Sequence, residues 1–279
     1  MNVWNGLKTT LLMGALMGLC LGVGYALGGG PRTMLLALMI GGAMNFIAYF
    51  FSDKIALATM HARQIGPDDD PKLWRIVETL CHQAGLPMPK VCVSPAAAPN
   101  AFATGRNPDH SAVCVTAGLR QILTDDELSG VIAHELSHIK HRDILISTVA
   151  ATVAGAISYL AYMAMWFGRS NDEDSHPLVG LLMLIFAPIA ATIIQLAVSR
   201  SREYSADSAG ALISGSPRGL ANALRKLDMA NHQIPLHVPD SQSNMFIVAP
   251  LTGHGGMARL FMTHPPTEER IRRLMEMER

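Results

Sequence analysis

Charge is scarce in this chain. Of 279 residues, 22 are Lys or Arg and 22 are Asp or Glu, cancelling to a net charge of zero, while 49% of the chain is hydrophobic. That balance is too apolar for an ordinary soluble protein of this length and points to the membrane. The denser Lys/Arg clusters lie only beside apolar runs or on the last amphipathic stretch, so no basic face suggests nucleic acid as a partner. Cysteine is also sparse: Cys20, Cys81, Cys92 and Cys114 show neither CxxC spacing nor the density of a disulfide-stapled secreted domain. They read as small core or membrane residues in a reducing compartment. A G-x-x-x-x-G-K-[ST] phosphate loop is missing, so no nucleotide is expected and any hydrolysis should be ATP-independent.

Long uncharged apolar runs are what the chain does have. Two lie at 9–27 and 33–52, separated by Gly28-Gly29-Gly30-Pro31-Arg32, and two more at 144–167 and 178–199, around a polar loop with Asp172, Glu173 and Asp174. A helix rising 1.5 Å per residue needs about twenty residues to cross a bilayer core. The expectation is a mainly α integral membrane protein with about four transmembrane helices in two hairpins. Two alternatives stand beside it: a cleavable signal sequence for the first run, with Lys8 as its basic flank, and buried soluble helices for the last two runs. Lys8, Lys54, Arg63, Lys140, Arg142, Arg200 and Arg202 fall on one side of the runs, and Arg32 with the acidic loop on the other. The positive-inside rule therefore puts both polar segments in the cytoplasm. This divides the chain into an N-terminal hairpin (1–52), the first part of a soluble catalytic domain (53–143), a second hairpin (144–200) and the second part of that domain (201–279).

Within the polar segments, Asp70-Pro71 begins a helix with Leu73, Trp74, Ile76, Val77 and Leu80 on its apolar side, ending near Gly85. Val91–Val93, Ala101–Thr104 and 112–116 are short runs bounded by Pro, Gly or Asn and suggest a small sheet, whose edge could pair with an extended polypeptide. Thr124-Asp125-Asp126-Glu127 has capping-box spacing, so a helix should start near Asp125. With no Gly or Pro between Lys140 and the third apolar run, that helix is expected to continue straight into the membrane. Ser216-Pro217 starts another helix reaching about Met229, 231–256 reads as a long loop able to act as a lid, and a last amphipathic helix starts near Pro266.

The helix expected from Asp125 carries His134-Glu135-Leu136-Ser137-His138. His134 and His138, four residues apart, point from one helical face, where two imidazoles can meet one tetrahedral ion. Glu135 lies beside them and can act as a base without ligating, the H-E-x-x-H arrangement. Glu203 heads an E-x-x-x-D and can supply a third ligand, leaving a position open as catalytic zinc requires. Asp207, one turn on, can accept the other ring N–H of a ligand histidine. The competing reading makes Glu203 and Asp207 juxtamembrane carboxylates salt-bridged to Arg200 or Arg202. A metzincin would have Gly at 141 and His at 144, where this chain has His141 and Ile144. These residues predict one Zn2+ per chain and zinc-assisted peptide hydrolysis with Glu135 as general base. His264, in Thr263-His264-Pro265-Pro266, is a candidate oxyanion donor, although a capping or surface histidine would look the same. A non-enzymatic scaffold held by structural zinc is disfavoured, since closed sites usually have four protein ligands.

Taken with Asn100-Ala101-Phe102-Ala103-Thr104-Gly105, Ser201 to Asp207 and His264-Pro265-Pro266, the motif between paired apolar spans resembles the HtpX family of bacterial membrane zinc endopeptidases, relatives of the CAAX prenyl protease. The resemblance covers nearly the whole chain. It implies an α+β zincin-like (gluzincin) catalytic domain on the cytoplasmic face of the inner membrane, cleaving misfolded or damaged membrane proteins. It further implies that His134, His138 and Glu203 bind zinc, that Glu135 is the base, that His264 assists the transition state, and that 100–105 lines the substrate groove. A CAAX-type processing protease is the alternative enzyme; four spans are few for a large intramembrane chamber.

Overall fold

The computed structural model describes residues 3–26, 30–146, 149, 200–233 and 265–278. The expectations for the rest of the third apolar run, the fourth run with its polar loop, the 231–256 loop beyond its first three residues and His264 lie outside the described residues; 231–233 are helical, continuing the helix from Pro217.

Helices α1 (Val3–Ala26) and α2 (Pro31–Phe50) form the first hairpin. Asn45 Nδ2 donates to the Met13 carbonyl at 3.0 Å, tying the two helices together within an otherwise apolar contact. At 20 residues, α2 is the described helix long and apolar enough to cross a membrane. Its outward side carries exposed Leu35, Leu36, Met39, Ile40, Phe46 and Ile47. That is the inverse of a soluble amphipathic helix, which turns such a stripe inward.

The backbone breaks at Phe51 (φ −124°, ψ 0°) and restarts as the short α3 (Ser52–Thr59), an element too brief to read from composition. A four-stranded sheet follows, built from β1 (Arg63–Gln64), β2 (Lys90–Ser94), β3 (Ala101–Asn107) and β4 (His110–Thr116) in the order β1-β2-β4-β3. Strands β2 and β4 run parallel; the other pairings are antiparallel. The three anticipated strands are present, and β1 is an addition whose two exposed polar residues carry no strand pattern. Alternation divides the sheet faces. Ala101, Val91, Val113 and Val115 join the main core, whereas Cys92, Phe102, Ala112 and Cys114 pack with Ala56 and Leu57 of α3. All four cysteines are free thiols and buried, and burial pushes Cys114 up to about 12, so it stays an inert apolar filler.

Helix α4 (Pro71–Ala84) begins as expected, with the Asp70 carboxylate accepting from the Leu73 N–H at 3.1 Å, and ends at left-handed Gly85. After α5 (Ala117–Ile122) comes the central helix α6 (Asp125–His141). Its capping box is complete: Thr124 accepts from the Glu127 N–H, and Glu127 accepts from the Thr124 N–H at 2.8 Å. Helices α7 (Arg200–Ser214), α8 (Pro217–Gln233) and α9 (Thr267–Glu276) complete the catalytic half. Helix α7 crosses α6 at Gly210, where a Cβ would lie 2.8 Å from the backbone nitrogen of His134. Only glycine permits that approach, and it brings the N-terminal half of α7 onto the motif.

One expectation is corrected. Helix α6 does not continue straight into the third apolar run: it stops at His141, and Arg142 takes a left-handed cap conformation (φ 59°, ψ 36°). The Arg142 and Asp143 N–H groups then bond back to the His138 carbonyl, closing the helix end. A non-glycine left-handed residue carries no sequence signal, so the turn was not legible.

Candidate metal centre

The approach of α7 to α6 decides the geometry. His134 and His138 stand one turn apart, with ring centroids 4.8 Å apart and planes at 90°. Glu203 reaches both from α7, with Oε2 3.7 Å from His134 Nε2 and Oε1 3.6 Å from His138 Nε2. One ligand atom from each of the three residues lies within 4.8 Å of the others. Ligands about 2 Å from a tetrahedral ion are about 3.3 Å apart, so this set matches zinc with little adjustment.

Glu135 is buried next to the triad, and its Oε2 accepts the Ala103 N–H of edge strand β3 at 2.8 Å. Burial pushes its carboxyl up, outweighing the pull of the two histidines and of that hydrogen bond. A carboxyl raised toward neutrality is suited to taking and returning a proton. The sheet thus contributes to the site through its edge, and β3 holds Glu135 from the backbone.

Each histidine has a carboxylate behind it. Asp207 Oδ1 is 3.0 Å from His134 Nδ1, although off the N–H direction. Arg270 of α9, only 1% exposed, holds Asp207 with two hydrogen bonds of 2.7 and 2.8 Å. Burial alone would push Asp207 up, but the Arg270 guanidinium, with help from His134, holds its carboxyl down at about 2. Behind His138 stands Asp143, 3.5 Å from Nδ1 and 3.7 Å from Arg202 Nη1. Burial would lower the His138 imidazole, yet Asp143, Glu203 and Glu135 together raise it to about 9. In that state a cation entering the site would displace a proton.

The donor chemistry fits a divalent ion independently of the spacing. Glu135, Glu203, Asp207 and Asp143 are buried, against the guanidiniums of Arg270 and Arg202. Acidic side chains outnumber the guanidiniums in this buried cluster, a setting that a divalent cation would balance.

Of the residues singled out from the sequence, His134, His138, Glu203, Glu135 and Asp207 come together here, and His264 lies outside the described residues. The competing salt-bridge reading of Asp207 is not what the fold adopts: its guanidinium is Arg270, not Arg200 or Arg202. Arg202 instead meets Asp143. His141 turns back on its own helix, with Nδ1 2.9 Å from the Ser137 carbonyl. Arg270 and Asp143 were missed. A signal existed for Arg270, which shares a face with Leu274 four residues on; for Asp143 there was none.

The sequence profile of Peptidase family M48 matches residues 67–278, spanning α4 to α9 and every residue of the centre. The chain belongs to this family. M48 membership makes it a membrane zinc metallopeptidase, hydrolysing peptide bonds in polypeptides. Its relatives include a protease HtpX homolog of Syntrophotalea carbinolica, 52% identical over 98% of this chain and 99% of that one. A protease HtpX homolog of Sulfurihydrogenibium sp. is 51% identical over 99% and 97%. Among solved structures, the crystal structure of S. mikatae Ste24p matches with a TM-score of 0.53 at 18% identity, covering 98% of this M48 chain and 66% of the longer one. At that identity the likeness speaks for the fold alone.

Proposed function

We propose that this M48 peptidase is an endopeptidase of the bacterial inner membrane, crossing it about four times in two hairpins (1–52 and 144–200). Its two polar segments (53–143 and 201–279) together form a cytoplasmic zincin-like domain that degrades misfolded or damaged membrane proteins. The observation that carries the reading is the His134, His138 and Glu203 donor set beside a buried glutamate on an edge strand. These three residues would hold zinc. Zinc, when bound, lowers the pKa of water to about 7 and polarises a carbonyl.

The chain's own groups do the rest. Glu135 takes the proton of the attacking water and returns it to the leaving amine. Strand β3 offers an edge to which an extended peptide can add, and the Ala103 N–H keeps Glu135 facing that edge. Asp207 and Asp143 orient the two imidazoles. His264 supplies a donor to the oxyanion.

Glu135→Gln is expected to retain zinc and lose proteolysis, while His138→Ala loses both, measured by metal analysis and cleavage of an unfolded membrane protein by the purified enzyme. Undiminished cleavage by Glu135→Gln would sink the mechanism. A topology reporter fused after Asp53 should appear cytoplasmic, and a periplasmic signal would reverse the orientation.

A further inference from the structure

A cavity of about 360 Å³ lies where the end of α2 meets α3 and the β3–β4 hairpin. We propose that it binds the phosphate headgroup of an anionic phospholipid such as phosphatidylglycerol. The inference rests on the membrane reading of α2.

Three cations from three elements line this cavity: Lys54 of α3, Lys90 of β2 and Arg106 of β3. Among the described residues none of them has a carboxylate within ion-pair distance, although Asp53 and Asp109 line the same space. Aromatic rings hold two of them instead. Lys54 Nζ sits 5.0 Å from the centre of the Phe51 ring, and Arg106 Cζ sits 5.6 Å from that of Phe50. A cation resting on a ring face keeps its other side open to an anion and loses little freedom when one arrives.

The aim of Arg106 is built into the strand. The β3–β4 ladder shifts register between Gly105 and Asn107, and Gly105 has φ +132°, with a Cβ there overlapping the His110 carbonyl. A bulge at a sheet edge redirects the side chain it carries. Here it delivers Arg106 to the end of α2 instead of leaving it in solvent.

The level of the cavity selects a lipid over a soluble anion. The exposed apolar stripe of α2 begins after Arg32 and ends at Phe50 and Phe51, against the cavity wall. Twenty residues of helix span about 30 Å, the thickness of the hydrocarbon. A phosphate among Lys54, Lys90 and Arg106 is therefore at headgroup depth, where Tyr49 and the phenylalanines form an aromatic belt. The acyl chains of that lipid can lie along the exposed faces of Ile40, Phe46 and Ile47.

The test uses the full-length zinc enzyme in phosphatidylcholine nanodiscs doped with spin-labelled phosphatidylglycerol or spin-labelled phosphatidylcholine, with the immobilised fraction giving the preference between them. Wild type should prefer phosphatidylglycerol by roughly fivefold or more, the scale of one juxtamembrane cation. Combined Lys54→Gln, Lys90→Gln and Arg106→Gln should bring the ratio near unity, Arg63→Gln off the cavity should leave it alone, and Asp109→Asn should raise it. Because Asp109 is exposed, the last variant tests the site even if the triple variant misfolds. No preference in wild type, an unchanged ratio in the triple variant or in Asp109→Asn, or an equal loss in Arg63→Gln overturns the proposal. Abolition by millimolar inorganic phosphate would identify a soluble-anion site and overturn the lipid assignment. A wild type that fails to enter nanodiscs overturns the membrane reading as well, whereas entry without preference overturns only this inference.

Discussion

The two histidines of the candidate metal centre share a plan and differ in its execution. Behind His134, Asp207 and Arg270 are sealed in the core, with a side-on carboxylate at 3.0 Å and a bidentate guanidinium at 2.7 to 2.8 Å. Behind His138, Asp143 and Arg202 stand at 3.5 and 3.7 Å, and the histidine side chain is 16% exposed. The first relay joins three helices of the catalytic half. The second sits at the turn leading out of α6, with Lys8 of α1 within electrostatic reach of both Asp143 and Arg202. A sealed relay with a bidentate guanidinium resists displacement more than a looser, partly exposed one.

The largest effect should come from cutting the deep relay. Arg270→Leu leaves Asp207 as a buried carboxylate without its counter-ion, and breaking such a pair costs roughly 3–5 kcal/mol. Arg202→Leu on the looser side should cost far less. Chemical denaturation of both variants makes the comparison, and equal losses would erase the distinction. Next in size is metal affinity. Removing an orienting carboxylate typically weakens binding by about 10- to 100-fold, so Asp207→Asn should fall near the upper end and Asp143→Asn near the lower. Competitive chelation measures both, and the reverse order would contradict the assignment of roles.

The smallest effect is on acid stability. Asp207 titrates at about 2 in the fold against 3.8 ordinarily. A lowered carboxyl contributes stability that is fully present above the ordinary value and is lost as pH falls through the folded one. The contribution is on the order of 2 kcal/mol. The stability gap between wild type and Asp207→Asn should therefore be open at pH 6 and close toward pH 2. A gap that stays constant over that range would mean that Asp207 is not ionised in the native state.

What could be read from the sequence was local. The capping box of Thr124 and Glu127, the four-residue spacing of His134 and His138, and the Asp70 to Gly85 helix each depend on neighbours within a turn or two. Glu203 could be singled out because the motif creates a demand for a third ligand. The counter-ions could not: Arg270 lies 63 residues from Asp207 and sits in a helix dominated by surface charge. Asp143 acquires its place only because Arg142 turns left-handed, which ordinary residues seldom do. Strand β1 is assigned by its partner β2 and has no pattern of its own.

The dependence of Asp207 on Arg270 also sets an order in time. A chain made from its N-terminus presents α6 and α7, with all three metal donors, before α9 has left the ribosome. Until α9 docks, Asp207 lacks the guanidinium that keeps it charged in the core, and the His134 side of the pocket is held only in part. In the nascent chain the three donors thus precede, by some 60 residues of synthesis, the guanidinium that holds Asp207.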